Sequence, residues 1–201
     1  MIIDKLFPTI IYLKEDVLLD IEIENIKKDI LKEQSETDRE NWQSKPNLHN
    51  WLVYDPLVTS IKSASKDYFE KLMKWEYESF IITDMRSNVS KPGEAHRPHR
   101  HANNVLSGVF YINAIEGHPG IHFYDPRPQV DVLCPNVKQF TKENSSLFKY
   151  TAKQNKMIMF PSWLQHYVPV NDTKEKRISI SWNIMFKGKI GKSSEYQSSE
   201  F

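Results

Sequence analysis

The sequence predicts a mainly β domain of the sandwich or jelly-roll class, with N-terminal helices packed on one sheet. Two observations predict it. Apolar residues recur about every 3.6 residues up to Trp75, as in amphipathic helices, and from Phe80 onward they alternate or form short runs, as in strands. Segments rich in Pro, Gly, Asn and Asp separate those runs and indicate turns between several short strands.

The length and composition of the chain limit its classes of function. With 201 residues, 39% hydrophobic and 12% aromatic, the chain suits one folded domain. Its 27 basic and 26 acidic residues leave a formal charge of +1, which gives no electrostatic reason to bind nucleic acid or an anionic membrane. The one cysteine, Cys134, excludes an intrachain disulfide, and no apolar run reaches the roughly 20 residues of a membrane span. We therefore expect a cytoplasmic protein without nucleic-acid or membrane partners.

The N-terminal part is expected to be mostly helical. Residues 5–13 predict a short edge strand with a kink at Pro8. Isoleucines and leucines at helical spacing predict a helix over 16–34. A second helix is predicted over Pro56–Trp75, with Asp55 as its N-cap.

The remainder of the chain predicts strands joined by turns. The predicted strands are Phe80–Asp84, Val105–Ile112, Ile121–Tyr124, Met157–Phe160 and Arg177–Phe186. Asp131–Ser146 is a long polar connection, suited to a substrate loop or lid. We assign residues 1–187 to a single domain, with a helical support region at 1–79 and a jelly-roll core at 80–187. A loosely ordered tail is expected at 188–201.

Histidines are concentrated in the segment from His96 to His101. In an extended chain, residues two apart point to the same side, so His99 and His101 can converge on one metal ion. His96 has the opposite parity and is separated from His99 and His101 by Pro98, which makes it the weaker candidate. The alternative is a polar loop whose histidines face solvent.

A further histidine, His166, lies in the strongly apolar segment Met157–Val168. A polar ring in such surroundings needs a partner. A metal ion would provide one. A backbone carbonyl that accepts a hydrogen bond from the ring would provide another.

The clearest alternation in the chain runs over Arg177–Ile184, with Arg, Ser, Ser and Asn on one face and Ile, Ile, Trp and Ile on the other. If the helices cover the apolar face, the polar face lines the interior of the domain. A buried guanidinium needs an anion, and its planar fork binds carboxylates bidentately. The pattern therefore predicts a small carboxylate ligand, held by Arg177 and by the hydroxyl of Ser179.

Taken in order, these segments resemble the 2-oxoglutarate/Fe(II)-dependent oxygenases of bacteria and marine phages. The likeness begins at Leu6–Thr9 and covers nearly the whole domain. The segments that carry it are His99-x-His101, Leu106–Ile112, Phe123–Arg127, Phe160–His166 and Arg177–Asn183.

The resemblance implies a double-stranded β-helix, a jelly roll whose mouth holds Fe(II). His99 and His166 correspond to the two histidine ligands of the family, and Arg177 with Ser179 to the residues that hold the C5 carboxylate of 2-oxoglutarate. The hydroxyl of Tyr111 is expected to reach the same co-substrate. The implied reaction consumes 2-oxoglutarate and O₂, releases succinate and CO₂, and hydroxylates a small molecule or peptide that the sequence does not identify.

The metal motif of the family has Asp or Glu where this chain has His101. Three interpretations are open, in this order. His101 is a third metal ligand; or it lies outside the ligand set and water completes the site; or Asp125 provides the carboxylate, although Asp before a proline is common as a turn residue.

Two other classes of function are open at this point. One is a three-histidine metal enzyme of the cupin type that does not use 2-oxoglutarate, either a dioxygenase or a zinc-dependent hydratase or hydrolase. The other is a non-catalytic jelly-roll binding module. Arg177 separates the oxygenase from the cupin-type enzyme, because only the use of 2-oxoglutarate requires its guanidinium.

Overall fold

Two antiparallel β-sheets enclose a common interior, and two helices cover the outer face of the larger sheet. The structure is a computed structural model. It describes residues 1–37, 39–192, 194 and 197–201.

The helices are α1 (Asp20–Ser35) and α2 (Asp55–Lys66), and a π-helical segment (Asp67–Leu72) continues α2. The strands are β1 (Tyr12–Glu15), β2 (Trp42–Gln43), β3 (Ser79–Ser90), β4 (His96–His99), β5 (Leu106–Asn113), β6 (His122–Tyr124), β7 (Leu147–Lys149), β8 (Lys156–Pro161), β9 (His166–Val168), β10 (Arg177–Lys187), β11 (Lys189–Ile190) and β12 (Ser199–Glu200).

The larger sheet has the strand order β1–β8–β5–β10–β3–β2, and the smaller sheet has the order β4–β9–β6–β7. Strand β10 lies inside the larger sheet and pairs with β5 on one side and β3 on the other. Every pairing within the two sheets is antiparallel. The predicted mainly β fold with helices on one sheet is confirmed.

The main hydrophobic core lies between the helices and the larger sheet. Helix α1 buries Ile23, Ile26 and Ile30 there, the stripe that predicted the helix. Ile180 and Trp182 of β10 lie in the same core. Burial of each such side chain contributes about 1.5–3 kcal/mol. The apolar face of β10 is therefore covered by helices, as predicted.

A second, smaller hydrophobic cluster lies between the two sheets. Its fully buried members are Tyr111, Ile121, Phe123, Ile158, Phe160 and Leu164. They come from β5, β6, β8 and the segments beside them. This cluster fills one side of the interior and leaves the side lined by β3 and β10 to polar residues.

Several element boundaries differ from the sequence-based predictions, among them α1, which is Asp20–Ser35 rather than 16–34, and β3, which extends to Ser90 rather than Asp84. The edge strand is Tyr12–Glu15 rather than 5–13, because its backbone partner is the stretch Lys156–Met159 of β8, and that pairing sets its position. The second helix begins with Asp55 as its first residue rather than its cap. Its last predicted part is π-helical, so the regular α-helix is shorter than predicted.

The division into a support region, a core and a tail stays a prediction. Positions 193, 195 and 196 of the predicted tail lie outside the described residues. Of its described residues, Lys189–Ile190 pairs with Ser199–Glu200 as a short ribbon. Across the described part of the chain, no helix has the length and apolar character needed to cross a membrane.

Gly108 of β5 provides a test of how closely β5 and β10 pack. A Cβ at this position would overlap the indole ring of Trp182, which is 1% exposed and enclosed by the core. We expect Gly108→Ala to lower the free energy of unfolding by about 1–3 kcal/mol, as overpacking of a core does. Urea denaturation measures the change. In a Trp182→Phe background, which removes the overlapping atoms, the same substitution should cost less, and equal costs in both backgrounds would contradict this packing.

Candidate functional site

Three histidines converge at one end of the interior. The ligand atoms offered by His99, His101 and His166 all lie within 4.8 Å of one another. His99 ends β4 and His166 begins β9, and the two residues are paired directly across the strands. Nε2 of His101 lies 3.3 Å from Nε2 of His166. The three rings therefore face a common point, as the sequence predicts for His99 and His101.

Backbone carbonyls orient two of these rings. Nδ1 of His99 lies 2.7 Å from the carbonyl oxygen of Arg97, and Nδ1 of His166 lies 2.9 Å from that of Leu164. A carbonyl oxygen only accepts hydrogen bonds, so each Nδ1 carries the proton and donates it. Each Nε2 is then left with its lone pair free, which is the arrangement of metal-ligating histidines in proteins.

The buried rings of the cluster are held in the neutral state. Burial lowers the pKa of His101 to about 4 and the pKa of His166 to about 3. Neighbouring histidines contribute to both shifts, because a second positive charge at the same point is unfavourable. The neutral imidazole is the form that binds metal.

Asp125 lies outside this cluster in the described part of the chain. Both of its carboxylate oxygens accept hydrogen bonds from the Arg127 side chain, at 3.0 Å from Nε and 2.6 Å from Nη2. The Arg127 guanidinium lowers the pKa of Asp125. The structure thus brings His101, and not Asp125, to the two histidines of the motif.

Arg177 lies buried at the start of β10, with 2% of its surface exposed. Its Nη1 donates a hydrogen bond of 2.6 Å to the carbonyl of Pro119. Its Nε has no hydrogen-bond partner among the described residues, and neither does the Oγ of Ser90, which is paired with it across β3. Burial lowers the pKa of Arg177, which means that its charge is costly where it stands. These two unpartnered polar atoms indicate a place for an anion.

The other two predicted co-substrate residues lie beside Arg177. Ser179 and Tyr111 are directly opposite each other across β10 and β5, and both are buried. Burial raises the pKa of Tyr111, and the charge of Arg177 acts in the opposite direction. The structure therefore brings together Arg177, Ser179 and Tyr111 as the sequence predicts.

Strand β3 adds polar residues that the sequence analysis did not single out. Asp84, Arg86, Asn88 and Ser90 alternate along it, each opposite a polar residue of β10. Oδ1 of Asp84 accepts a hydrogen bond of 2.9 Å from Arg86, and Oδ2 accepts one of 2.8 Å from Asn183. The signal was present in the sequence, because the polar alternation continues beyond Asp84, where the predicted strand ended.

Two serines connect this polar row to the histidine cluster. The hydroxyl of Ser107 donates to Oδ1 of Asn183 at 2.6 Å and lies 2.8 Å from the hydroxyl of Ser162. The carbonyl of Ser162 accepts the backbone N–H of His101 at 3.0 Å. The segment that carries His101 is thereby held against the end of β8.

His96, the weaker candidate of the sequence analysis, lies within the electrostatic influence of Arg177. The pairing of β4 with β9 shifts in register between His96 and His99, so the simple parity argument does not apply across this strand. Burial is the main cause that lowers the pKa of His96 to about 4, and the charge of Arg177 is the next largest contribution. His96 is not part of the described three-histidine cluster.

Comparison with known proteins identifies the family. The family described as "Putative 2OG-Fe(II) oxygenase" matches residues 84–183, a segment that contains every residue of the site described above. The chain belongs to this family. Its resemblance to 2-oxoglutarate/Fe(II)-dependent oxygenases is thereby confirmed.

Solved structures of low sequence identity share the fold. HygX from Streptomyces hygroscopicus, with nickel and 2-oxoglutarate bound, is 8% identical with a TM-score of 0.65, over 88% of this chain and 82% of that chain. A prolyl-4-hydroxylase from Pseudomonas putida is 13% identical with a TM-score of 0.61, over 89% and 88%. The viral collagen prolyl hydroxylase of Paramecium Bursaria Chlorella virus-1 is 16% identical with a TM-score of 0.60, over 87% and 94%. No curated protein sequence matches the chain significantly.

These findings confirm the predicted double-stranded β-helix and the predicted class of enzyme. This member of the 2-oxoglutarate/Fe(II) oxygenase family is a non-haem iron oxygenase that uses Fe(II), 2-oxoglutarate and O₂. The match favours the oxygenase over the cupin-type enzyme without 2-oxoglutarate and over the non-catalytic binding module.

The three-histidine cluster predicts how single substitutions affect metal binding. We expect His99→Ala and His166→Ala each to weaken Mn(II) binding by at least about 100-fold, because loss of a residue that merely supports a ligand already costs about 10–100-fold. Anaerobic calorimetry on metal-free protein measures the affinity. His122→Ala is the matched control, since that ring contacts Tyr167 outside the cluster. Wild-type affinity in His166→Ala would contradict the assignment.

Two further variants test which group is the third metal ligand. If His101 is a ligand, His101→Ala weakens Mn(II) binding as the other two substitutions do, and Asp125→Asn leaves it unchanged because Asp125 is occupied by Arg127. The opposite pattern would assign the third position to Asp125. If neither substitution changes the affinity, water completes the site.

Proposed function

We propose that this oxygenase hydroxylates a small molecule or peptide, with Fe(II) bound by His99, His101 and His166 and 2-oxoglutarate bound by Arg177. The proposal rests on two features that occur together in the interior between the two sheets. One is the cluster of neutral imidazoles, and the other is a buried guanidinium whose Nε has no partner among the described residues.

The donor set suits the proposed metal. Imidazole nitrogen is a ligand that Fe(II) accepts, and three protein ligands leave positions open for the co-substrate and O₂. When bound, iron and 2-oxoglutarate supply the oxidation: O₂ is reduced, 2-oxoglutarate gives succinate and CO₂, and one oxygen atom enters a C–H bond of the substrate. The protein provides rings already oriented by the carbonyls of Arg97 and Leu164.

The residues around Arg177 suit a carboxylate. Its guanidinium offers Nε, and Ser90 offers a hydroxyl from the paired strand. Ser179 and Tyr111 add two further hydroxyls from β10 and β5. A carboxylate that accepts hydrogen bonds from these groups would satisfy the buried charge, which is the condition under which a buried arginine is stable.

Aromatic side chains border the proposed metal site on the side of His166. The ring of Phe160 lies 4.7 Å and that of Phe123 lies 5.9 Å from the ring of His166, measured between centroids. Both side chains are nearly fully buried. They keep water from the inner side of the site, so that the open side of the cluster is the side available to substrate.

The use of 2-oxoglutarate is tested by binding in the absence of O₂. Wild-type protein with Mn(II) should bind 2-oxoglutarate, and Arg177→Gln should raise the Kd by at least about 30-fold, because loss of a buried charged partner costs about 2 kcal/mol or more. Calorimetry gives both affinities. Arg127→Gln is the matched control, since its guanidinium is paired with Asp125 outside the cluster.

A second measurement tests the reaction. With Fe(II), ascorbate and O₂, the protein should convert 2-oxoglutarate to succinate slowly without a substrate, and Arg177→Gln should abolish that conversion at moderate 2-oxoglutarate concentrations. Wild-type protein that binds Mn(II) but not 2-oxoglutarate would overturn the proposal and favour the cupin-type metal enzyme.

A further inference from the structure

A second arginine, Arg86, lies on the same inner face of the larger sheet as Arg177. Arg86 pairs with Ser181 of β10, and Arg177 pairs with Ser90 of β3, so the two arginines stand four residues apart along the paired strands. At about 3.3–3.4 Å per residue, their Cα positions are separated by about 13 Å along the sheet. The carbon chain of 2-oxoglutarate is much shorter, so one molecule held by Arg177 leaves Arg86 available.

Arg86 is near the histidine cluster rather than near the buried end of the interior. Its partner Asp84 is bonded to Asn183, which connects through Ser107 to the strand end beside His101. Arg86 is therefore on the metal side of the polar row, beyond the residues proposed to hold 2-oxoglutarate.

The guanidinium of Arg86 is only partly used by the protein. One nitrogen, Nη2, donates to Oδ1 of Asp84 at 2.9 Å. Its Nε and Nη1 make no hydrogen bond with the described residues, and 32% of the side chain is exposed. Because arginine carries five N–H donors in a planar fork, most of its donors are left without a partner among the described residues.

The carboxylate of Asp84 is occupied by groups of the protein itself. Its carboxylate accepts hydrogen bonds from Arg86, from Asn183 at 2.8 Å and from Thr83 at 3.4 Å, so it is committed to neighbouring side chains. Through its Oδ1 it holds one nitrogen of Arg86 and leaves the other donors of the guanidinium unused. The same pairing over two residues occurs at Asp125 and Arg127, which lie outside the cluster.

The presence of histidine at position 101 also favours an anionic ligand. A carboxylate at this position, as in the usual motif of the family, would bring a negative charge, whereas the neutral His101 ring brings none. The site is therefore one charge more positive than a site with two histidines and a carboxylate. A site with one negative charge fewer, beside a guanidinium that keeps unused donors, favours an anionic ligand.

We propose that Arg86 binds an anionic group, a carboxylate or a phosphate, of the substrate to be hydroxylated. The inference rests on the proposed function, since it takes Arg177 as the site of 2-oxoglutarate. It excludes purely neutral, apolar substrates for this site. Arg86 is thus a substrate-binding residue that selects by charge, and it does not hold the metal or the co-substrate.

The test uses matched pairs of anionic and neutral compounds. The probes are free L-amino acids with their carboxamides, and sugar phosphates with the corresponding sugars. Each is titrated anaerobically into the protein saturated with Mn(II) and 2-oxoglutarate, and each is also assayed for an increase in succinate release with Fe(II) and O₂. At least one anion should bind, and its neutral counterpart should bind at least about tenfold more weakly. The amino-acid and phosphate arms distinguish the two sources of charge.

Arg86→Gln should raise the Kd of that anion by about tenfold or more and leave the Kd of Mn(II) and of 2-oxoglutarate unchanged. Arg86→Lys keeps the charge without the fork and should have an intermediate effect. Arg127→Gln, from the other Asp-x-Arg pair, is the matched control and should bind the anion as the wild type does.

The results separate the two proposals. If the wild type binds 2-oxoglutarate but no anion in preference to its neutral counterpart, or if Arg86→Gln binds the anion unchanged, the inference about Arg86 is overturned and the proposed function stands. If the wild type does not bind 2-oxoglutarate, both are overturned. Loss of Mn(II) and 2-oxoglutarate binding in Arg86→Gln but not in Arg86→Lys would overturn the inference, because Arg86 would then support the site as a whole.

Discussion

Strand β10 is buried on both faces, and the rest of the molecule depends on how each face is satisfied. Ile178, Ile180 and Trp182 face the helices and need only apolar neighbours. Arg177 and Ser179 face the interior between the sheets, where water cannot satisfy them. Burying polar groups in this way is costly unless each finds a partner. The fold therefore has to supply partners from β3 and β5, or leave room for a ligand that supplies them.

Both cases, partners supplied by the protein and room left for a ligand, occur along β10. Toward the histidine cluster, Asn183 is satisfied within the protein by Asp84 and Ser107. At the other end, the Nε of Arg177 and the hydroxyl of Ser90 have no partner among the described residues. A closed network satisfies Asn183 within the protein, whereas the open one at Arg177 and Ser90 is where we propose that the co-substrate binds. It is also why a co-substrate anion would add stability as well as chemistry, since ligand binding favours the folded state.

The smaller sheet positions the histidines of the cluster. Pairing of β4 with β9 sets His99 directly opposite His166, and the carbonyl of Ser162 secures the segment that carries His101. Backbone carbonyls fix two of the three rings, so little reorganisation is needed when metal binds. A site on sheet ends and short turns also leaves its open side toward solvent, where His99 is exposed.

Residues with a strong local pattern could be assigned from the sequence, and residues that depend on register could not. The alternation after Arg177 was sufficient to predict a buried arginine and a carboxylate ligand, and the spacing of His99 and His101 to predict their convergence. Ser90 and Arg86 were missed because the predicted strand stopped at Asp84. Whether a polar alternation faces solvent or an interior depends on the opposing sheet, which no local pattern contains. His96 was ranked low by parity, and the register shift in β4 removed the basis of that ranking.

The sequence by itself determined the class of fold, the approximate helical and strand segments and the identity of the chemical groups: imidazoles, a guanidinium and hydroxyls, with one cysteine and no usual carboxylate in the metal motif. These follow from periodicity and residue chemistry, which are local. Only the tertiary structure decided that His101 rather than Asp125 joins the other two histidines, that Ser90 faces Arg177, and that Arg86 stands beside the cluster. Those relations arise from pairing between strands distant in the chain, and their register is set by the packing of the whole sheet.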